Sequence, residues 1–189
     1  MNTQTTHHHL FETAIGECGV AWNSRGLVGM QLPEQDRGQT ELRLAVKCHS
    51  TGADDVPPWI QSVISDIQRY LAGQPVDFST VEVDLGGIDD FRQKLYAALR
   101  GIGFGRTVTY GELAKQIGLT GWEGARDVGE AMGKNPVPIV IPCHRVLAAG
   151  NKPGGFSAYG GITTKQKLLA LEGVRLGEAP NAPPRLPGL

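Results

Sequence analysis

From Leu10 to Leu32 the chain runs in short apolar stretches cut by Gly16, Gly19, Gly26 and Gly29, a spacing that predicts two or three short strands joined by hairpins. One helix follows. Pro57-Pro58 opens it, and Trp59, Ile60, Val63, Ile64, Ile67, Tyr70 and Leu71 form its i, i+3/i+4 stripe, closed by Gly73. Val81, Val83 and Leu85 alternate with polar residues as a last strand, and Gly86-Gly87 marks a linker, so a domain boundary is expected near residue 88. Beyond it the period is helical. Asp89 can cap a helix whose buried stripe is Phe91, Leu95, Ala98, Leu99 and Ile102. Thr109-Tyr-Gly-Glu112 and Thr120-Gly-Trp-Glu123 both carry the pattern in which a Thr hydroxyl and a Glu carboxylate satisfy orphan amides at a helix start. The first of these helices buries Leu113 and Ile117 and stops at Gly118; the second places Trp122, Ala125, Val128 and Met132 on one face. Two helices joined by so short a glycine turn form a helix-turn-helix candidate, although any helical hairpin shares the pattern. The exposed side of the second helix carries Arg126, Asp127, Glu130 and Lys134, with Gly124, Gly129 and Ala131 giving thin side-chain cover.

Residues 1–9, with the run His7, His8, His9, and residues 178–189, rich in proline, lack periodicity and are expected to be disordered ends. The expected division is therefore 1–9, an N-terminal domain over 10–87, a C-terminal domain over 88–177, and a tail. With 40% hydrophobic residues among 189 the chain can bury a core, and no apolar run approaches the ~20 residues of a membrane span. The N-terminus lacks the layout of a secretory signal, so a cytoplasmic protein without membrane association is expected. Three cysteines without CxxC spacing indicate neither a disulfide framework nor a thiolate zinc knuckle. Cys18 and Cys48 are expected to be inert, and Cys48-His49 lacks evident further ligands, so no metal is expected. The net charge of −1 hides an asymmetry. Residues 1–90 hold five Lys and Arg against thirteen Asp and Glu (5 − 13 = −8), whereas residues 91–177 hold twelve against five (12 − 5 = +7). The second half is the half that suits an anionic partner.

The most informative stretch is Asn135-Pro-Val-Pro-Ile-Val-Ile-Pro-Cys-His-Arg-Val-Leu147. Pro136, Pro138 and Pro142 preclude a regular helix, and Ile139-Val140-Ile141 is apolar enough to be inside. The expectation is a pinned, extended, buried segment that delivers Cys143, His144 and Arg145 at a turn. An adjacent imidazole or positive field lowers a thiol pKa and makes a nucleophile. From the residues alone, an inert buried cysteine beside a structural histidine fits equally well.

Pro142-Cys-His-Arg-Val146 resembles the active-site signature of the O6-alkylguanine-DNA alkyltransferases, the methylated-DNA–protein-cysteine methyltransferases. The similarity runs from Phe91 to Gly173 and takes in Thr109-Tyr-Gly-Glu-Leu-Ala114, Ala125-Arg126, Asn135-Pro136, Gly154-Gly-Phe-Ser157, Gly160-Gly161 and Leu168-Leu-Ala-Leu-Glu-Gly173. The resemblance implies an α+β chain: a ribonuclease-H-like α/β domain followed by a helical winged helix-turn-helix domain. It implies that Cys143 takes the alkyl group, that His144 acts through a water as its base, and that Glu172 orients His144. Tyr110 would help rotate the 3′ phosphate and protonate the departing guanine, and Asn135 would tie the recognition helix to the active-site turn. Arg126 would be the arginine finger that fills the duplex when the nucleotide is flipped out. Thr109, Ala125, Gly129, Lys134 and Arg145 join Arg126 and Tyr110 as expected DNA contacts. Main-chain carbonyls at Cys143 and Val146 would read the guanine amino group, and Met132, Phe156, Ser157 and Tyr159 would wall the pocket. Asp127 and Glu130 stand where some relatives carry Gly or Ala, and the loop from Gly154 to Gly161 is longer than in some.

The implied partner is double-stranded DNA containing O6-alkylguanine, with O4-alkylthymine a second candidate, bound by a monomer, cytoplasmic and nucleoid-associated if bacterial. Displacement at an alkyl carbon needs a soft sulfur and a proton for the leaving base. A phenol, with a pKa near ~10, still holds one at neutral pH. No cofactor is indicated to regenerate the thioether, so each molecule would react once. The alternatives are a noncatalytic sensor of alkylated DNA and a Cys-His hydrolase, the latter disfavoured because no oxyanion motif is visible.

Overall fold

The computed structural model describes residues 5–119 and 121–177. Strands β1 (His7–Thr13), β2 (Gly16–Asn23) and β3 (Gly26–Gln31) form an antiparallel meander, and the short β4 (Thr51–Gly52) pairs parallel to β1, giving the order β3-β2-β1-β4. Period-two alternation sends neighbouring residues to opposite faces of the sheet. Leu10 and Ala21 pack with Leu44 of helix α1 (Arg37–Cys48), whereas Phe11, Val20, Trp22, Leu27 and Met30 join Ile60, Val63, Ile67 and Tyr70 of helix α2 (Pro58–Leu71).

Three expectations need correction here. His7 to His9 are not a disordered end: they pair along β2, and His8, 4% exposed, meets Ser50 Oγ through Nδ1 at 3.0 Å. Their backbone has partners on both sides of β1, which the polar letters conceal. Second, α1 was not expected. Leu42, Leu44 and Val46 alternate like a strand, and only Thr40 and Leu44 are buried, while Leu42 and Val46 are left 65% and 63% exposed. Third, Val81 to Leu85 is no strand but a single parallel bridge, Leu27 to Val83. Arg100 donates to the carbonyls of Phe78, Ser79 and Val81 and so takes up acceptors that further pairing would use.

In the second half, helix α3 (Asp90–Arg100) is capped by Asp89, whose carboxylate accepts from Arg92 N at 2.9 Å. Strand β5 (Val108–Thr109) leads into helix α4 (Tyr110–Gln116), which starts with a complete capping box between Thr109 and Glu112, and helix α5 (Gly121–Gly133) follows. This is the helix-turn-helix pair. The expected cap at Thr120 and the side chain of Trp122 lie outside the described residues, as does the tail from 178. A one-turn 3-10 helix (Cys143–Arg145) precedes strand β6 (Val146–Leu147), which pairs parallel to β5, and helix α6 (Gly161–Leu171) is the last element among the described residues. The two halves share one apolar cluster and are stitched at Pro136, whose carbonyl accepts from Met30 N at 2.9 Å and from Lys47 Nζ at 3.2 Å. Among the described residues no helix is long and apolar enough to cross a membrane.

Candidate active site

The segment ahead of Cys143 is buried but not extended. Ile141 N donates to Val137 O at 2.8 Å, closing a tight turn in which Ile139 adopts φ 73°. A β-branched residue there costs about 1–3 kcal/mol and persists only where its surroundings fix it. Asn135 does much of the fixing: its Oδ1 accepts from Val137 N at 3.0 Å, and its Nδ2 reaches Ile141 O at 2.7 Å and Cys143 Sγ at 3.1 Å. One amide, two residues beyond the end of α5, thus holds the sulfur.

His144 and Arg145 both reach Glu172, at the end of α6. The carboxylate is enclosed by donors. His144 Nε2 lies 2.8 Å from Oε1, Arg145 Nη2 2.9 Å from the same oxygen, Arg145 Nε 3.0 Å and Gly105 N 3.0 Å from Oε2. The hydroxyl of Tyr70, from α2, donates to Oε1 at 2.6 Å. Burial alone would raise the Glu172 carboxyl, but the bonds from His144 and Arg145 outweigh it and hold the group down to about 2. An ionised carboxylate only accepts, so the proton of neutral His144 sits on Nε2 and the lone pair on Nδ1. Among the described residues that Nδ1 has no hydrogen-bond partner.

Burial pushes the His144 imidazole below its usual value, opposed by the Glu172 bond, and pushes the Cys143 thiol up, opposed by Asn135 and then by Lys165. The resting pair is therefore thiol and neutral imidazole. This corrects the expectation that adjacency in sequence alone lowers the thiol pKa: the charge of Arg145 is spent on Glu172, and proton removal must accompany reaction.

Cys143 is 5% exposed, yet it is not sealed. It lines a cavity of about 240 Å³ together with Tyr110, Gly129, Met132, Gly133, Gly155, Phe156 and Ser157. A second cavity of about 150 Å³, toward the N-terminal domain, reaches the same sulfur past Lys47, Asn135 and Pro138. Tyr110 is packed closely enough by Gly154 (φ 69°) that a Cβ there would stand 2.9 Å from its Cε2. Burial and then Cys143 raise the Tyr110 phenol, keeping it protonated. Lys165 is fully buried, donates to Val146 O at 2.5 Å and Gly155 O at 3.3 Å, and stands 5.8 Å over the Tyr110 ring. Burial lowers its ammonium to about 8 while Cys143 opposes the shift.

Of the residues singled out in the sequence, Cys143, Tyr110, Gly129, Met132, Phe156 and Ser157 meet at this cavity. Two do not. Tyr159 is 51% exposed and outside the lining, and its carbonyl accepts from Thr164 Oγ1. Arg145, expected at DNA, is 5% exposed and bound to Glu172 and to the Ile102 carbonyl. Val146 is buried, and its carbonyl already accepts from Lys165. Arg126 stands on the exposed face of α5, 3.8 Å from Asp127, and Lys134 pairs with Glu130 at 3.0 Å. Ala125 is half-buried, and the Thr109 hydroxyl is engaged in the helix cap. Tyr70 and Lys165 were missed. Tyr70 is indistinguishable from the apolar stripe of α2, but Lys165 left a signal: it lies three residues after Ile162 and three and four before Leu168 and Leu169, on the helix's apolar side.

Residues 6–85 match the 6-O-methylguanine DNA methyltransferase ribonuclease-like domain, and residues 90–174 match the DNA-binding domain of the same family. The methylated-DNA–protein-cysteine methyltransferase of Mycolicibacterium paratuberculosis is 39% identical over 146 residues, covering 76% of this chain and 85% of that protein. Its Mycobacterium bovis counterpart is 36% identical over 88% of this chain and 92% of its own length. Among solved structures, that of Mycobacterium tuberculosis OGT in complex with DNA superposes with a TM-score of 0.71 at 36% identity, covering 88% of this chain and 92% of that one. The O6-methylguanine-DNA methyltransferase of Pyrococcus kodakaraensis superposes with a TM-score of 0.67 at 28% identity, covering 90% and 100%. Both halves, the cysteine turn and these likenesses agree: the chain belongs to the 6-O-methylguanine DNA methyltransferase family.

Proposed function

We propose that the protein repairs DNA by transferring the alkyl group of O6-alkylguanine irreversibly to Cys143, once per molecule. The observation that carries this reading is a sulfur held at the wall of a cavity beside α5, with a lone-pair nitrogen, a protonated phenol and a buried ammonium around the same turn. His144, acting through a water, takes up the thiol proton at Nδ1, and the Glu172 carboxylate stabilises the imidazolium that forms. The sulfur then attacks the alkyl carbon in line. The S–C bond forms as the C–O6 bond breaks, the electron pair stays on the purine, and Tyr110 supplies the proton that neutralises it. Lys165 stabilises the transient thiolate, for which a buried cation with no carboxylate partner among the described residues is well suited.

A purine reaches Cys143 only outside the duplex, so α5 enters DNA and Arg126, exposed on it, fills the space left by the flipped nucleotide. The structure of Mycobacterium tuberculosis OGT in complex with DNA supports DNA as the partner. The protein would act as a monomer wherever chromosomal DNA lies, in the cytoplasm or nucleoid. The test is Cys143→Ala with duplex DNA containing O6-methylguanine. The wild type clears the lesion and the variant binds it without clearing it. A wild type that also only binds makes the protein a sensor, and equal loss of binding and transfer makes Cys143 a packing residue.

A further inference from the structure

We infer that Tyr70, a residue of the N-terminal domain, is a positioning residue of the transfer reaction, its hydroxyl fixing Glu172 and His144 so that Nδ1 is left as the base. The inference rests on the alkyl-transfer reading above and extends it across the domain boundary.

A phenol has one proton. Here it goes to Glu172 Oε1 at 2.6 Å, an acceptor with no proton of its own, which leaves the phenolic lone pairs toward His144 Nε2 at 3.0 Å. The Nε2 proton is then shared between Glu172, 2.8 Å away, and Tyr70. The three groups form a closed triangle that fixes the His144 ring against the Glu172 carboxylate. That arrangement favours one tautomer and one ring orientation, the condition a base at Nδ1 requires.

Packing does not ask for the hydroxyl. The Tyr70 ring is fully buried between the edges of Phe78 and Phe104, at centroid distances of 5.8 and 6.1 Å, and phenylalanine would fill the same space. A buried hydroxyl is a cost unless it is bonded, and among the described residues this one is bonded into the relay alone. Burial and the Glu172 charge keep the phenol protonated, so it remains a donor while His144 titrates. The groups that bear on His144 are Glu172 and Lys165 from the α6 region, Arg145 from its own turn and Tyr70 from α2. Only Tyr70 comes from the N-terminal domain, which would make that domain part of the proton machinery and not merely its support.

The test uses the full chain and free O6-benzylguanine, with the single-turnover rate of benzyl transfer followed between about pH 5 and 9. Tyr70→Phe is expected to react about tenfold more slowly at neutral pH. Removing a donor from Glu172 leaves a stronger partner for the imidazolium, so His144 holds its proton longer and the acid limb moves up by about half a pH unit. In a Glu172→Gln background the same change should add less than about twofold, because the two act through one unit. Phe78→Leu, which loosens the ring's packing and keeps the hydroxyl, should lower the melting temperature without moving the limb. An unshifted limb in Tyr70→Phe, a limb moved equally by Phe78→Leu, or effects that multiply in the Glu172→Gln background overturns the inference. A wild-type chain that takes no benzyl group overturns the alkyl-transfer reading itself, and this inference with it.

Discussion

Arg145→Met separates two roles that the residue could have at this site. In the structure its Nε and Nη2 bind both oxygens of Glu172 at 2.9 to 3.1 Å, its Nη1 binds the Ile102 carbonyl, and the two side chains are 7% and 0% exposed. The variant keeps an unbranched chain of similar reach but leaves the Glu172 charge with only Gly105 N, Tyr70 and His144. Removing one partner of a buried pair costs about 3–5 kcal/mol. At about 2–4 °C per kcal/mol for a chain of this size, the melting temperature should fall by about 6–20 °C. The assay is a thermal melt combined with duplex binding measured against salt below the transition. A structural Arg145 predicts the large drop with an unchanged salt slope. A melting temperature within about 2 °C of wild type, with a salt slope smaller by about one, would mean that Arg145 meets a phosphate and that the buried pair is wrong.

Three further outcomes follow from the same geometry. The neutral imidazole is the active form and burial lowers the His144 pKa, so the transfer rate should hold down through pH 6.5, the ordinary imidazole value, and reach half its plateau below it; a midpoint above that value contradicts the burial argument. Gly154→Ala puts a Cβ against the Tyr110 ring at φ 69°, so reaction with free O6-benzylguanine should fall by about tenfold, whereas Gly103→Ala, outside the cavity lining, meets nothing within 4 Å and should be silent. Equal rates for the two variants would detach Tyr110 from the chemistry. Arg126→Ala should slow reaction with duplex DNA by about tenfold or more and leave the free base unaffected; parallel losses would refute a base-flipping role.

The parts of the molecule legible in its sequence are those fixed by local rules. The capping box at Thr109 announced α4 because both of its bonds lie within four residues, and the glycines at 16 and 26 announced hairpins. Helix α1 was hidden because Leu42 and Val46 face solvent, so its apolar letters report no burial. The same limit applied at the site. Asn135 and Cys143 are close in sequence, but the fate of Arg145 depends on Glu172, twenty-seven residues on, and adjacency to Cys143 was misleading. The left-handed Ile139 could not be read from an apolar triplet between prolines. Tyr70 reaches its partner across 102 residues and a domain boundary, a contact that no periodicity encodes.

The central claim is that the sulfur of Cys143 is the final resting place of the alkyl group. Peptide mass mapping after incubation with excess duplex DNA carrying O6-methylguanine tests it directly. The account predicts a gain of one methylene, about 14 Da, on the peptide containing Cys143, saturating at one per chain, with Cys18 and Cys48 unchanged. A methyl group found on another residue, or DNA cleared of its lesion with the Cys143 peptide at its original mass, would contradict it.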